Sequence, residues 1–464
     1  MGNGTILKAL SGLALLSSIL FVSASGCTKK GADRPKHPNI LLIIGDDIGI
    51  DVTTDMYPGM IDDLVEQYGP SGHNHPRYQE IDGRPASTPS LNALAGAGMR
   101  FTHAWAQPFC SPTRTSLITG LYSAKTGIID PLGWLSRNHH SFVKDLKEKG
   151  GYSTAVFGKW HIAGLFEYPG MKPKEAGFDL FQGNLHGGVA TYYEWDYHVQ
   201  DASTPPDQWR TEKPPARSLP GIEPTTFAPV VKTADAINWI TEQETKNPDK
   251  PWFAWFAFNL SHITGRQEPN PMVIPNADTM DETSRKEMEE CMGPDGQFGS
   301  ANTGSCSSEA LMRAMTNSMD AMIDRLIETV DELDSDTYII YLGDNGTWMF
   351  GPKREFIENM YLTKQGRSKG TAYESGVRVS MAIRGPGIKA GSQSDDWVHN
   401  VDLFSTILEL AGLDVPETVP NREGNGMVEV DGVSLTPILF EGARSLRDPH
   451  KGYLLAATVN SYKE

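Results

Sequence analysis

The chain has few cysteines, a shortage of positive charge and no apolar stretch long enough for a comfortable membrane span. With a formal net charge of −17, nucleic acid is excluded as an expected partner, because a polyanion needs a basic face. An anionic substrate would need local positive charge instead. The longest early apolar run, from Ala9 to Val22, falls short of the roughly 20 residues that cross a bilayer. His73 and His75 sit in a polar stretch without further His or Cys partners nearby, so a zinc set is not expected there. No internal repeats or low-complexity tracts occur. What remains is ordinary globular material: 39% hydrophobic and 21% charged residues in a chain of 464. That length suits one large α/β domain plus a smaller one, with an ample core.

The N-terminus is not expected to join the fold. Lys8 precedes the apolar run, small residues follow, and the stretch ends in Ala24-Ser25-Gly26-Cys27-Thr28-Lys29-Lys30. This resembles a bacterial lipoprotein signal, with residues 1–26 removed, Cys27 as the lipidated first residue and 27–37 as a linker. Ala24 departs from the leucine usual three places before such a cysteine, so ordinary cleavage after Ala24 stays open. Both readings export the protein, to the periplasm or as an outer-membrane lipoprotein. Cys291 and Cys306 lie in a Gly- and Ser-rich insertion, and a disulfide between them is expected in an oxidising compartment.

Apolar runs alternate with helical patterns through the middle of the chain. Pro38–Ile44, Tyr152–Phe157, Pro251–Phe258 and Thr337–Leu342 read as strands buried on both faces. Helices are predicted from Thr88 to Ala95 with an N-terminal cap signal, from Ser141 to Lys149, from Thr233 to Glu242, through the Met315–Leu333 stripe, and from Val401 to Ala411. Residues 52–86 read as a polar, loop-like insertion and 163–230 as a long excursion rich in Gly, Pro and aromatics. The alternation predicts an α/β fold: a large, mostly parallel sheet flanked by helices.

Each strand ends in polar residues: Asp46-Asp47, Lys159 with His161, His262, and Asp344-Asn345. Ligands of open α/β sheets bind beyond the carboxyl ends of the strands, so these groups are expected to gather in one place. A solvated loop would explain any one of them; four coincidences of type and position are harder to dismiss. Asp46, Asp47, Asp344 and Asn345 offer only oxygen, which suits a hard dication, Ca²⁺ ahead of Mg²⁺. Arg114, Lys159 and Lys369 supply cations for an anionic substrate, and His161 and His262 can move protons near neutral pH.

One more stretch belongs with them. Cys110-Ser111-Pro112-Thr113-Arg114 reads as a helix start, with Pro112 at a first helical position and Cys110 just before the turn. A buried cysteine at a helix start is the plainer alternative for that residue alone. The whole string, C-x-P-x-R followed by a small-residue helix and Thr119-Gly120, resembles the signature of the type I, formylglycine-dependent sulfatases of the alkaline phosphatase superfamily. The strand ending in Asp46-Asp47, Gly158-Lys159-Trp160-His161, Ser261-His262, Asp344-Asn345-Gly346 and Lys369-Gly370-Thr371-Ala372-Tyr373-Glu374 follow in the order and approximate spacing of that family. The match covers roughly residues 38 to 440. Departures are visible at Ile263-Thr264, Ser375 and Ser380.

The resemblance implies an alkaline-phosphatase-like catalytic domain over 38–420 and the start of a C-terminal subdomain over 421–464, shortened relative to the family's usual sheet. It implies that a formylglycine-generating enzyme oxidises Cys110 to formylglycine. The hydrated aldehyde, with a metal held by Asp46, Asp47, Cys110, Asp344 and Asn345 and flanked by Arg114, attacks the sulfur of a sulfate ester. Asp344 is the implied base, Lys369 and His262 assist the leaving alcohol, and His161 takes the proton that lets sulfate depart. Export and the aromatic excursion favour sulfated carbohydrate as substrate. The alternatives are a phosphodiesterase or phosphonate monoester hydrolase on the same fold, or a catalytically dead glycan-binding lipoprotein.

Overall fold

In the computed structural model the described residues are 1, 37–165, 167–265, 270–333, 336–348, 359–362, 367–447 and 454–457. The signal and Cys27, the linker up to residue 36, and the last seven residues lie outside them. Fifteen strands are found among the described residues: β1 Asn39–Gly45, β2 Met99–Trp105, β3 Ser153–Lys159, β4 Leu180–Asn184, β5 Tyr197–Gln200, β6 Arg210–Glu212, β7 Arg217–Leu219, β8 Ile222–Thr225, β9 Trp252–Ala257, β10 Thr337–Gly343, β11 Arg378–Val379, β12 Met381–Arg384, β13 Ser392–His399, β14 Thr418–Pro420 and β15 Met427–Glu429. Eleven of them form one sheet, in the order β11-β2-β12-β10-β1-β9-β3-β4-β5-β6 with β13 beside β2. Its middle, β10-β1-β9-β3-β4, is parallel throughout, and antiparallel strands close both margins.

The apolar strand runs are explained by burial on both faces. In β1, Leu41 and Ile43 join one hydrophobic cluster, while Ile40, Leu42 and Ile44 join the other. The same division separates Ala254 and Phe256 from Phe253 and Trp255 in β9. Helices α2 (Pro89–Ala97), α6 (Ala228–Lys246) and α8 (Ser308–Glu332) cover the first face. Helices α3 (Cys110–Thr119) and α5 (Phe142–Glu148), with the helix Asp402–Leu410, cover the second. Each large aliphatic or aromatic side chain fully buried this way contributes about 1.5–3 kcal/mol.

Four expectations change in detail. The stretch 52–86 holds a nine-residue helix, α1 (Met60–Tyr68), between Gly59 and Gly69; its polar residues mask the apolar Met60, Ile61 and Leu64. The excursion 163–230 is not confined to loops, since β4, β5 and β6 extend the main sheet. Helix α6 starts five residues before Thr233 and ends four after Glu242, because its first two turns pack into the core. Thr88 precedes α2 without a side-chain cap bond. The Asp320 carboxylate of α8 takes the Ser90 and Leu91 N–H groups instead, each at 2.9 Å.

Towards the C-terminus, the pair β14–β15 straddles residue 420, and Leu435, Ile438 and Leu439 are buried with the second cluster. The Cys291–Cys306 disulfide is formed, joining the last turn of α7 (Glu282–Met292) to the segment before α8.

Candidate active site

Strand register places the acidic residues. Gly45 pairs with Gly343 across β1 and β10, so Asp46 and Asp344 emerge side by side one residue later. Through β9, Ile44 is level with Ala257, and Ala257 with Gly158 of β3; Lys159 therefore ends its strand at the same height. Gly158 has φ +96°, and a Cβ there would lie 1.8 Å from the Ala257 carbonyl oxygen. Only glycine fits that close approach.

Helix α3 stands over these strand ends. Cys110 is its first residue and Pro112 its third, so the helix starts two residues earlier than the proline predicts; neither position needs its N–H inside the helix. Two hydroxyls of the motif fix the helix. Ser111 Oγ donates to the His161 carbonyl at 2.9 Å, and Thr113 Oγ1 donates to the Asp344 carbonyl at 2.6 Å. Both anchors went unread in the sequence, although the hydroxyls lie within the motif itself.

All seven residues predicted as catalytic, and the three further metal-site residues, meet around Cys110 or pair with groups that do. One ligand atom each of Asp46, Cys110 and Asp344 lies within 4.8 Å of the others, as do those of Asp47, Cys110 and His262. Each carboxylate has a buried cation of its own. Lys159 Nζ is 2.7 Å from both oxygens of Asp46. Arg114 Nη2 is 2.9 Å from Asp344 Oδ2, and its Nη1 donates to the Lys159 carbonyl at 2.7 Å. Lys369 Nζ pairs with Asp47 Oδ1 and lies 3.5 Å from Cys110 Sγ. Three acids against three bases let this many charges be buried together; removing one partner leaves an uncompensated charge. Arg114 is thus committed to Asp344 and a backbone carbonyl, and holds that carboxylate in place.

The titration of these groups follows from burial. Burial pushes Asp46 up to about 8, against Lys159 and with Asp344 and Asp47 adding to the rise. Burial also pushes Asp47 up, but Lys369, His262 and Lys159 outweigh it and leave it at about 2. Burial raises the Cys110 thiol despite Lys159 and Lys369. His161 is held well below the usual imidazole value by burial and by Lys159, Arg114, His262 and Lys369. Burial and Lys369 bring His262 down to about 3. Its Nδ1 lies 2.7 Å from the Ile263 carbonyl, which can only accept; Nδ1 therefore carries the hydrogen, leaving Nε2 as the acceptor.

The donor set fits a divalent cation. Asp47 Oδ2 and Asn345 Oδ1 are buried with no hydrogen-bond partner. Buried acceptors are rarely left so, and a cation satisfies both. Oxygen ligands from three carboxylates and an amide suit a hard ion.

Two neighbours were not among the site residues read from the sequence. Lys232 of α6 is fully buried; its Nζ donates to Asn184 Oδ1 at 2.8 Å and also to Asn259 Oδ1. Burial drives it well below the ordinary lysine value. A single lysine on the apolar side of a helix was the available signal. Tyr192, whose hydroxyl lies 2.5 and 2.6 Å from the Asn259 and His262 carbonyls, steadies the loop that carries His262. His73 and His75 stay on the exposed side, against Tyr68.

Fold and cluster together define a class: an α/β protein whose parallel strands converge on a cysteine-centred, charge-matched site. Comparison with known proteins then places it. The sulfatase family model matches residues 38–413. N-acetylgalactosamine-6-sulfatase of Sus scrofa is 25% identical over 478 residues, which cover 96% of this chain and 74% of the relative. Arylsulfatase G of Rattus norvegicus is 26% identical over 458 residues, with 91% and 73% covered. The crystal structure of Ps i-CgsB shares the fold, with a TM-score of 0.58 at 21% identity, covering 88% of this chain and 77% of that one. The chain belongs to the sulfatase family and is a sulfuric ester hydrolase.

Proposed function

We propose that the protein hydrolyses sulfate esters of carbohydrates outside the cytoplasm, through an aldehyde hydrate made from Cys110. Ca²⁺, with Mg²⁺ second, would be held by Asp46, Asp47, Asp344 and Asn345, with the residue-110 side chain beside it. The observation that carries the reading is the pairing of orphaned buried acceptors, Asp47 Oδ2 and Asn345 Oδ1, with a buried cysteine at a helix start. The name of the Sus scrofa relative, an N-acetylgalactosamine-6-sulfatase, supports a sugar ester as substrate.

The bound dication would neutralise charge on the nucleophilic hydroxyl and on the sulfate oxygens. The aldehyde hydrate would supply one hydroxyl to displace the alcohol at sulfur, and a second whose loss of a proton lets sulfate leave. Asp344 accepts the proton of the first hydroxyl, while Arg114 keeps its carboxylate fixed. Lys369, raised above the ordinary lysine value by Asp47 and Cys110 in spite of burial, stays protonated and balances charge on the departing oxygen. His262 Nε2, which carries no hydrogen in the resting site, takes up a proton from solvent as the entering substrate anion raises its basicity, and delivers that proton to the departing oxygen. His161 Nδ1, unpartnered and neutral, takes the proton of the second hydroxyl. Lys159 holds Asp46 in the ion's reach.

Export rests on the signal at residues 1–26, and lipid attachment at Cys27 is the proposed anchor. No described helix is long and apolar enough to cross a membrane. Peptide mass across Cys110 should show the aldehyde in place of the thiol, together with sulfate release from a panel of sulfated sugars that chelation abolishes. An aldehyde-bearing, Ca²⁺-loaded protein that releases no sulfate from any ester would refute the reading.

A further inference from the structure

A cavity of about 430 Å³ opens beside His262, and His262 forms part of its wall. That residue also reaches the Cys110 cluster, so whatever fills the cavity lies next to the reacting centre. The volume falls within the range of small-ligand sites, roughly 300–1,000 Å³. Trp195 and Tyr168 give it aromatic surface, and His186 and His198 line it.

The charge of this lining differs from that of the cluster. Asp196 is its one carboxylate, and no lysine or arginine lines it among the described residues. Asp196 is exposed and makes no hydrogen bond or ion pair among the described residues. Both histidines have Nδ1 committed as an acceptor: His198 from the Leu185 N–H at 3.1 Å and His186 from the Gly188 N–H at 3.4 Å. A backbone N–H can only donate, so in the neutral ring each Nε2 carries a hydrogen. Burial holds both imidazoles below their usual value, His198 at about 4, and so neutral near pH 7. The wall therefore presents two N–H donors, an acceptor carboxylate and aromatic surface, which suit hydroxyl groups on an apolar ring face. A second anion would meet Asp196 with no lysine or arginine among the described lining residues to balance it; the nearby Lys232 is buried behind Trp195 and Asn184 and committed to Asn184 and Asn259.

We propose that this cavity seats the sugar ring bearing the scissile sulfate and selects a ring without a second anionic group. The proposal rests on the sulfate-ester reading above. Its test uses the full-length, aldehyde-bearing, Ca²⁺-loaded protein, an aryl sulfate, and sugar pairs matched in ring and ester position. One pair is N-acetylglucosamine 6-sulfate against glucosamine 2-N,6-O-disulfate; another is galactose 4-sulfate against galactose 4,6-disulfate. kcat/KM should favour the monosulfated member by about fivefold or more, and Asp196→Asn should narrow that ratio by about threefold, the scale of a partly exposed charge contact. Equal or better turnover of the disulfated members, an unchanged ratio in Asp196→Asn, or turnover of the aryl ester alone overturns the proposal and leaves the sulfatase reading standing. No turnover of any ester removes both.

Discussion

The cluster beneath Cys110 and the cavity beside it meet at His262 and are built on opposite rules. The cluster buries three carboxylates against three cations, each pair within direct contact, at the ends of regular strands, the start of α3 and the turn that carries Lys369. The cavity carries one exposed carboxylate and neutral imidazoles, on β5 and on the segments after β4 and β9. Dense charge survives burial only where geometry is fixed to fractions of an ångström, and strand register supplies that geometry. Loops can alter the lining of the cavity without disturbing the buried charges of the cluster.

Substitutions that act on one region and spare the other separate the two. Cys110→Ala should stop sulfate release from every ester alike, by at least about 10³-fold, with the melting transition retained. A variant that keeps its rate would place the nucleophile elsewhere. Asp344→Asn leaves Arg114 buried without its carboxylate, so it should cost about 3 kcal/mol in denaturant unfolding. It should also weaken Ca²⁺ binding by calorimetry, again for all substrates. Thr113→Ala removes the tie between α3 and the end of β10. A loss of about 1 kcal/mol is expected, with kcat falling more than KM changes, since the helix start shifts while the cavity does not.

The smallest effect should come from Asp320, in α8 and part of neither region. Burial raises its carboxyl to about 7 from the ordinary 3.8, even though it accepts the Ser90 and Leu91 N–H groups. A raised value means that its contribution to stability is full below about pH 4 and is lost as pH rises through about 7. Asp320→Asn should flatten that part of the thermal-stability profile between pH 4 and 8 while costing about 1 kcal/mol through a lost cap. Activity per folded molecule should not change.

Much of the site was legible because its chemistry is local. Asp46-Asp47, Asp344-Asn345 and Lys159 through His161 each follow an apolar run, and a run buried on both faces is recognisable from composition alone. The α/β class followed from the same runs. Helix α1 was less legible because it is short, flanked by Gly59 and Gly69, and has acids between its apolar positions. The cap of α2 could not be read from Thr88, since the acceptor comes from Asp320 in α8, 230 residues from Ser90, whose N–H it takes.

By itself, the sequence determined the strand–helix alternation, the oxygen-rich donor set and the cysteine motif, all properties of neighbouring residues. Only the tertiary structure decided which cation serves which carboxylate. Lys159 faces Asp46 and Arg114 faces Asp344 because parallel register and two hydroxyl anchors on α3 set their separations, while Lys369 faces Asp47 from a turn held by the Gly370 N–H to the Pro108 carbonyl at 2.8 Å. The cavity likewise exists only after β4, β5 and the His262 loop are brought together, because its walls come from residues 168 to 265.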